Sequence, residues 1–153
     1  MARRNGIAIR LVWFIATALS LVGQASSAYV PSAGCVGLAS TVTRGADLMD
    51  VFVAGSDGAV YTAAWQPGDT AFRGWWRIGN LEVPPCAPIS AVSRSANKLD
   101  VFATGLDGKV YTAAWQAGDA AFRGWWPVAG GLAQPGAPVG VVSRSADKLD
   151  VFV

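Results

Sequence analysis

The tripeptide Asp50-Val51-Phe52 returns as Asp100-Val101-Phe102 and again as Asp150-Val151-Phe152, and everything between keeps step with a period of 50 residues. GSDGAVYTAAWQPGDTAFRGWW, starting at Gly55, is followed by GLDGKVYTAAWQAGDAAFRGWW, starting at Gly105. AVSRSANKLDVF at 91–102 is matched by VVSRSADKLDVF at 141–152, and a degenerate earlier copy, STVTRGADLMDVF, occupies 40–52. Self-similarity at a fixed period restricts the chain to repeat architectures, in which one supersecondary unit recurs and neighbouring units bury each other's apolar surface.

The residues inside one period indicate the kind of unit. Val51 to Gly55 is short, apolar and β-prone. Ser56-Asp57-Gly58 is a turn signal, because glycine supplies the positive φ of a tight hairpin, and Val60 to Trp65 is a second β-prone run. Gln66 to Gly74 reads as a loop, Trp75 to Ile78 as a short strand, and Gly79 to Pro88 as a Gly/Pro-rich connection. Ile89 to Ser93 is a further strand that turns at Ser95-Ala96-Asn97 into the next Asp-Val-Phe segment. No segment holds a helical apolar period. Four short antiparallel strands in about 50 residues match one blade of a β-propeller. The expected fold is therefore all-β, made of four-stranded blades. With two full units and part of a third, the blades present do not close a ring, so a truncated product of a longer reading frame is expected. Alternation puts Tyr61, Ala63 and Trp65 on one face of a blade and Val60, Thr62 and Ala64 on the other.

Ahead of the repeats lies a targeting pattern. Arg3, Arg4 and Arg10 precede an uncharged apolar run from Leu11 to Gly23, and Ala25-Ser26-Ser27-Ala28 supplies small residues for cleavage. The run falls short of the roughly 20 residues that span a bilayer, so residues 1–28 read as a secretory signal peptide, with an uncleaved anchor as the alternative. The repeat region is then 29–153 and the localisation secreted. Removing the leader leaves 9 basic and 10 acidic residues, a net charge of −1. No basic patch remains to argue for nucleic acid, and no membrane association is expected after cleavage.

Several chemistries are excluded by composition. The chain has no histidine, so Ser-His and Cys-His nucleophiles and His-containing metal sites are ruled out. Its two cysteines cannot form a four-Cys zinc site. Asp50, Asp100 and Asp150, like Asp57, Asp107, Asp69 and Asp119, recur in register, which favours turn and backbone hydrogen bonding over a catalytic pair held in differing environments. No enzymatic activity, metal or cofactor is expected. Cys35 and Cys86 form an even pair in a chain read as exported, which suggests a disulfide closing a loop worth about 4 kcal/mol. Pairing outside the chain is the alternative.

The combination LDVF, G-x-DG-x-VY, GWW and P-x-x-AVSRS resembles the repeat of the PLL-type bacterial lectins. That resemblance implies a seven-bladed propeller that binds fucose and related, partly methylated sugars between consecutive blades, against aromatic side chains. Two departures are visible: Phe72 and Phe122 stand where tryptophan is expected, and an additional Trp adjoins Trp75 and Trp125. The partners implied are glycans, with oligomerisation open. Trp76, Trp115 and Trp126 are the leading platform candidates, with Arg73 or Arg123 donating to sugar hydroxyls. Trp65, Tyr61 and Tyr111 complete the candidate set. The competing role for each aromatic is to fill the space between blades. Two other roles remain open for the whole chain: a propeller module for protein–protein or surface attachment, and an accessory region of a secreted hydrolase.

Overall fold

The computed structural model describes residues 38–153; the leader, its cleavage site and Cys35 lie outside the described residues. Ten strands follow one another. They are β1 (Ser40–Gly45), β2 (Leu48–Ala54), β3 (Ala59–Trp65), β4 (Arg73–Glu82), β5 (Ser90–Ser95), β6 (Lys98–Thr104), β7 (Lys109–Gln116), β8 (Arg123–Leu132), β9 (Gly140–Ser145) and β10 (Lys148–Phe152). They form two four-stranded antiparallel meanders, β1-β2-β3-β4 and β5-β6-β7-β8, and a two-stranded sheet of β9 and β10. No helix occurs among the described residues. The all-β class and the four-stranded antiparallel unit expected from the repeat are present.

The strand around Ile89 to Ser93 opens the second sheet, as Ser40–Gly45 opens the first, so the chain ends in the second strand of a third unit as the repeat implies. One boundary differs from the sequence reading: the fourth strand continues to Glu82, through residues read as connection. Local pattern misses this because β4 is irregular: its pairing with β3 shifts twice, between Ala59 and Tyr61 and between Thr62 and Ala64.

The hairpins form for local reasons. At the first β2–β3 turn Gly58 has φ +77, and a Cβ there would lie 2.8 Å from the Val83 carbonyl oxygen, so both conformation and space require glycine. Asp57 accepts from the Ala59 backbone N–H at 3.1 Å and from the Tyr61 hydroxyl at 2.6 Å. The Tyr61 hydrogen bond is the main reason the Asp57 carboxyl lies below its ordinary value of 3.8. Asp107 and Tyr111 repeat the arrangement at 2.9 Å. These aspartates do the turn work expected of them.

Asp50, Asp100 and Asp150 do something else. Each takes the guanidinium of an arginine six residues earlier: Arg44, Arg94 and Arg144. Arg44 reaches Asp50 at 2.7 Å with each side chain only 7% exposed. A further donor of the same guanidinium points at the Ala96 carbonyl of the second sheet, and Arg94 likewise meets the Ala146 carbonyl of the third. The pair is therefore buried where the next sheet packs over it. Arg144–Asp150, with no following sheet among the described residues, is open to solvent.

The sheets stack face to face. Phe52, Ala54, Val60 and Ile78 of the first meet Leu99, Val101, Ala103 and Ala113 of the second in one core. The other face of the second sheet, with Phe102 and Val110, meets Val139, Val141, Leu149 and Val151. The same alternation thus serves at both junctions, displaced by one period. Phe122 reaches back from the β7–β8 loop to pack edge-on against Phe52, with ring centroids 5.8 Å apart. Phe52 is fully buried, so Phe52→Ala should cost about 3–5 kcal/mol of stability. Chemical denaturation of the two proteins would measure this. A loss under 1 kcal/mol would mean that the first junction is not packed as described.

Candidate functional site

Toward its outer strands the junction between the first two sheets opens into a cleft of about 670 Å³. The face of the first sheet that carries Asp50, Thr62 and Ala64 forms one side, with Trp76 above it on β4. Leu99, Trp115 and Phe122 of the second sheet form the other. The wall is thus apolar and aromatic, and the Arg44–Asp50 pair and the Thr62 side chain also line the cleft.

Trp76 owes its position to a bulge. Thr62 pairs with Trp76 and Ala64 with Arg73, so two steps on β3 face three on β4. Gly74, at φ +72, belongs to that irregular stretch, and the indole of Trp76 lies directly on it: a Cβ at Gly74 would sit 2.4 Å from the ring. One ring face is buttressed by glycine while the residue as a whole keeps 50% of its surface exposed. Trp126 repeats this on Gly124, where a Cβ would approach the ring to 2.6 Å, and it is 47% exposed. Neither glycine drew attention in the sequence. The recurring Arg-Gly-Trp-Trp string was the available signal, since a glycine two residues before an exposed Trp is what a stacked ring needs.

Trp115 is held differently. It is half-buried, its indole N–H donates to the Asp119 carbonyl at 3.2 Å, and the Arg44 guanidinium lies 4.8 Å from its ring centroid. Arg73 lines the cleft and pairs with Asp69 at 2.6 Å, which also keeps the Asp69 carboxyl below its ordinary value. The structure therefore brings Trp76, Trp115 and Arg73 together.

The remaining candidates lie elsewhere. Trp126 is the register partner of Thr112 on the face turned toward β9 and β10, so it belongs to the next junction and not to the cleft it was grouped with. Arg123, paired with Asp119 at 2.9 Å, is not among the residues lining this cleft. Trp65 stands on the opposite face of the first sheet, against the Phe72 ring at 5.7 Å. Tyr61 and Tyr111 spend their hydroxyls on the hairpin aspartates. Trp125 is a packing residue, donating to the Ile78 carbonyl across the junction at 2.9 Å. Cys86 is disulfide-bonded, and Cys35 falls outside the described residues. No cluster of three or more metal-ligating side chains occurs among the described residues.

Gly74→Ala should displace the Trp76 indole, since neither the backbone conformation nor the space admits a methyl group. The expected outcome is a changed Trp76 fluorescence and near-ultraviolet signal with the β-sheet far-ultraviolet spectrum kept. An unchanged aromatic signal would contradict the stacked geometry.

No protein-family model and no curated protein matches the chain. Among solved structures it is similar to the BP39L lectin from Burkholderia pseudomallei, with a TM-score of 0.65 and 24% sequence identity. The match covers 74% of this chain and 33% of that lectin, so the chain spans about a third of the lectin's length. The likeness is one of fold: repeated four-stranded antiparallel sheets of the kind found in a bacterial lectin.

Proposed function

We propose that the chain is a carbohydrate-binding region built of propeller blades, exported by its leader, and that the cleft between its first two sheets holds a sugar. The single observation that carries this is the Trp76 indole, buttressed on Gly74 and half exposed at the mouth of a cleft that polar side chains also line. A pyranose offers C–H faces that lie on such a ring and hydroxyls that need donors and acceptors close by. Trp76 supplies the platform, Arg73 and the Asp50 carboxylate supply polar partners, and Phe122, Ile78 and Leu99 supply an apolar wall.

Fucose and partly methylated sugars suit this surface, because a methyl substituent gains by leaving water for the apolar wall while the remaining hydroxyls meet the polar side chains. The resemblance of the repeat to PLL-type lectins and the fold likeness to the BP39L lectin support the same reading. Non-enzymatic action is part of the proposal. The chain lacks histidine, and the aspartates with resolved bonds are tied to arginines, lysines, tyrosines or turn amides, an arrangement suited to holding structure rather than moving protons.

A glycan array probed with the exported chain tests this. Binding to fucosylated or O-methylated glycans is expected, with Trp76→Ala weakening it by about 1–3 kcal/mol, the range for loss of one stacking platform, while the fold stays spectroscopically intact. Failure to bind any glycan on the array would overturn the proposal and favour a role in protein or surface attachment.

A further inference from the structure

The Thr62 side chain is 6% exposed, lines the cleft, and its hydroxyl oxygen meets no hydrogen-bond partner among the described residues. The Thr112 hydroxyl, one period later, is orphaned in the same way. A buried hydroxyl without a partner costs stability that valine, equal in shape and at least as good in a strand, would not cost. The direct register partner of Thr62 is Phe52, and Ala54 and Val60 share the face toward the core, so nothing in the adjoining packing calls for a hydroxyl; the Arg44–Asp50 pair on the same face leaves it unpartnered. Two threonines in equivalent places, each opposite a glycine-stacked tryptophan in the strand register, carry the same unneeded hydroxyl.

We propose that Thr62 is a ligand-reading residue, whose hydroxyl bonds a hydroxyl group of the saccharide lying on Trp76, with Asp50 accepting from a neighbouring hydroxyl. This rests on the carbohydrate reading of the cleft and adds the residue that tells a polyol from an apolar guest. Asp50 and Thr62 lie on one face of adjacent strands as diagonal neighbours, two residues apart along the ladder: Asp50 pairs with Ala64 and Phe52 with Thr62. Both Asp50 oxygens already accept from Arg44, at 2.7 and 3.4 Å. A carboxylate offers about four lone-pair sites, so it keeps capacity for a ligand hydroxyl. The Thr62 oxygen is covered in the free chain. A turn about its Cα–Cβ bond exchanges oxygen with methyl or hydrogen, and threonine in a strand has more than one staggered position to choose from. Arg44, Arg73 and Asp119 are each held in an ion pair, and Arg77 also lines the cleft; the Thr62 hydroxyl is the neutral polar group offered beside the platform.

The test compares wild type, Thr62→Val and Thr62→Ser, each as the full exported chain, titrated calorimetrically with L-fucose, D-mannose, D-galactose and their methyl glycosides. For whichever sugar the wild type binds most tightly, Thr62→Val should bind about five- to tenfold more weakly, the loss of one neutral hydrogen bond. Its Tm should equal or exceed that of wild type, because no protein hydrogen bond is lost. Thr62→Ser should keep most of the affinity. Equal binding by Thr62→Val would overturn the inference and leave the carbohydrate reading standing. So would a lower Tm in Thr62→Val together with an equal loss of affinity in Thr62→Ser, which would mark the residue as structural. A wild type that binds none of these sugars, nor any glycan on an array, would remove the carbohydrate reading and this inference with it.

Discussion

Everything in this molecule depends on one face-to-face contact repeated with a period of 50 residues. The Phe52, Ala54 and Val60 face of one sheet is the complement of the Leu99, Val101 and Ala113 face of the next, and the next junction reuses the same pattern with Phe102, Val110, Leu149 and Val151. A sheet so placed is covered on both sides, which is why its central strands run as near-continuous apolar segments and not as a clean alternation. Small residues such as Ala54 and Ala113 let the backbones approach, and large ones, Phe52 with Phe122, lock the spacing.

The arginine–aspartate pairs set the edge of that contact. A buried ion pair is weak evidence of added stability, because desolvation offsets much of the attraction. Its value here is positional: the fork that grips Asp50 also points at a carbonyl of the neighbouring hairpin and at the Trp115 ring. One guanidinium thus relates two sheets and fixes one wall of the cleft. The junction is closed near Phe52 and Val101 and opens toward the irregular fourth strand, where the bulge at Gly74 lifts Trp76 to the rim.

Much of the fold was legible because it is local and repeated. The hairpin at Ser56-Asp57-Gly58, the strand Val60 to Trp65 and the alternation separating Tyr61 from Thr62 all follow from turn chemistry and a period of two. The extent of the fourth strand was less legible, since its bulged pairing with β3 breaks the alternation that marks a strand. The candidate site was half legible. Trp76, Trp115 and Arg73 meet, but Trp126 does not join them, because its strand position points it at the following junction. Asp50 was mistaken for a turn residue because its partner Arg44 lies across a hairpin, although the same six-residue spacing recurs at Arg94 and Asp100. The Thr62 hydroxyl was invisible: nothing in a sequence reveals that a polar group has been left without a partner.

The ligand proposed for this cleft would lie on Trp76 and against Trp115. The indole N–H resonances of a nitrogen-15-labelled chain, followed during titration with a fucoside, report on each tryptophan separately. Shifts are expected at Trp76 and Trp115, with Trp65 on the far face and Trp125, tied to the Ile78 carbonyl, unmoved. Shifts at Trp65 or Trp125 with Trp76 unchanged would contradict this placement.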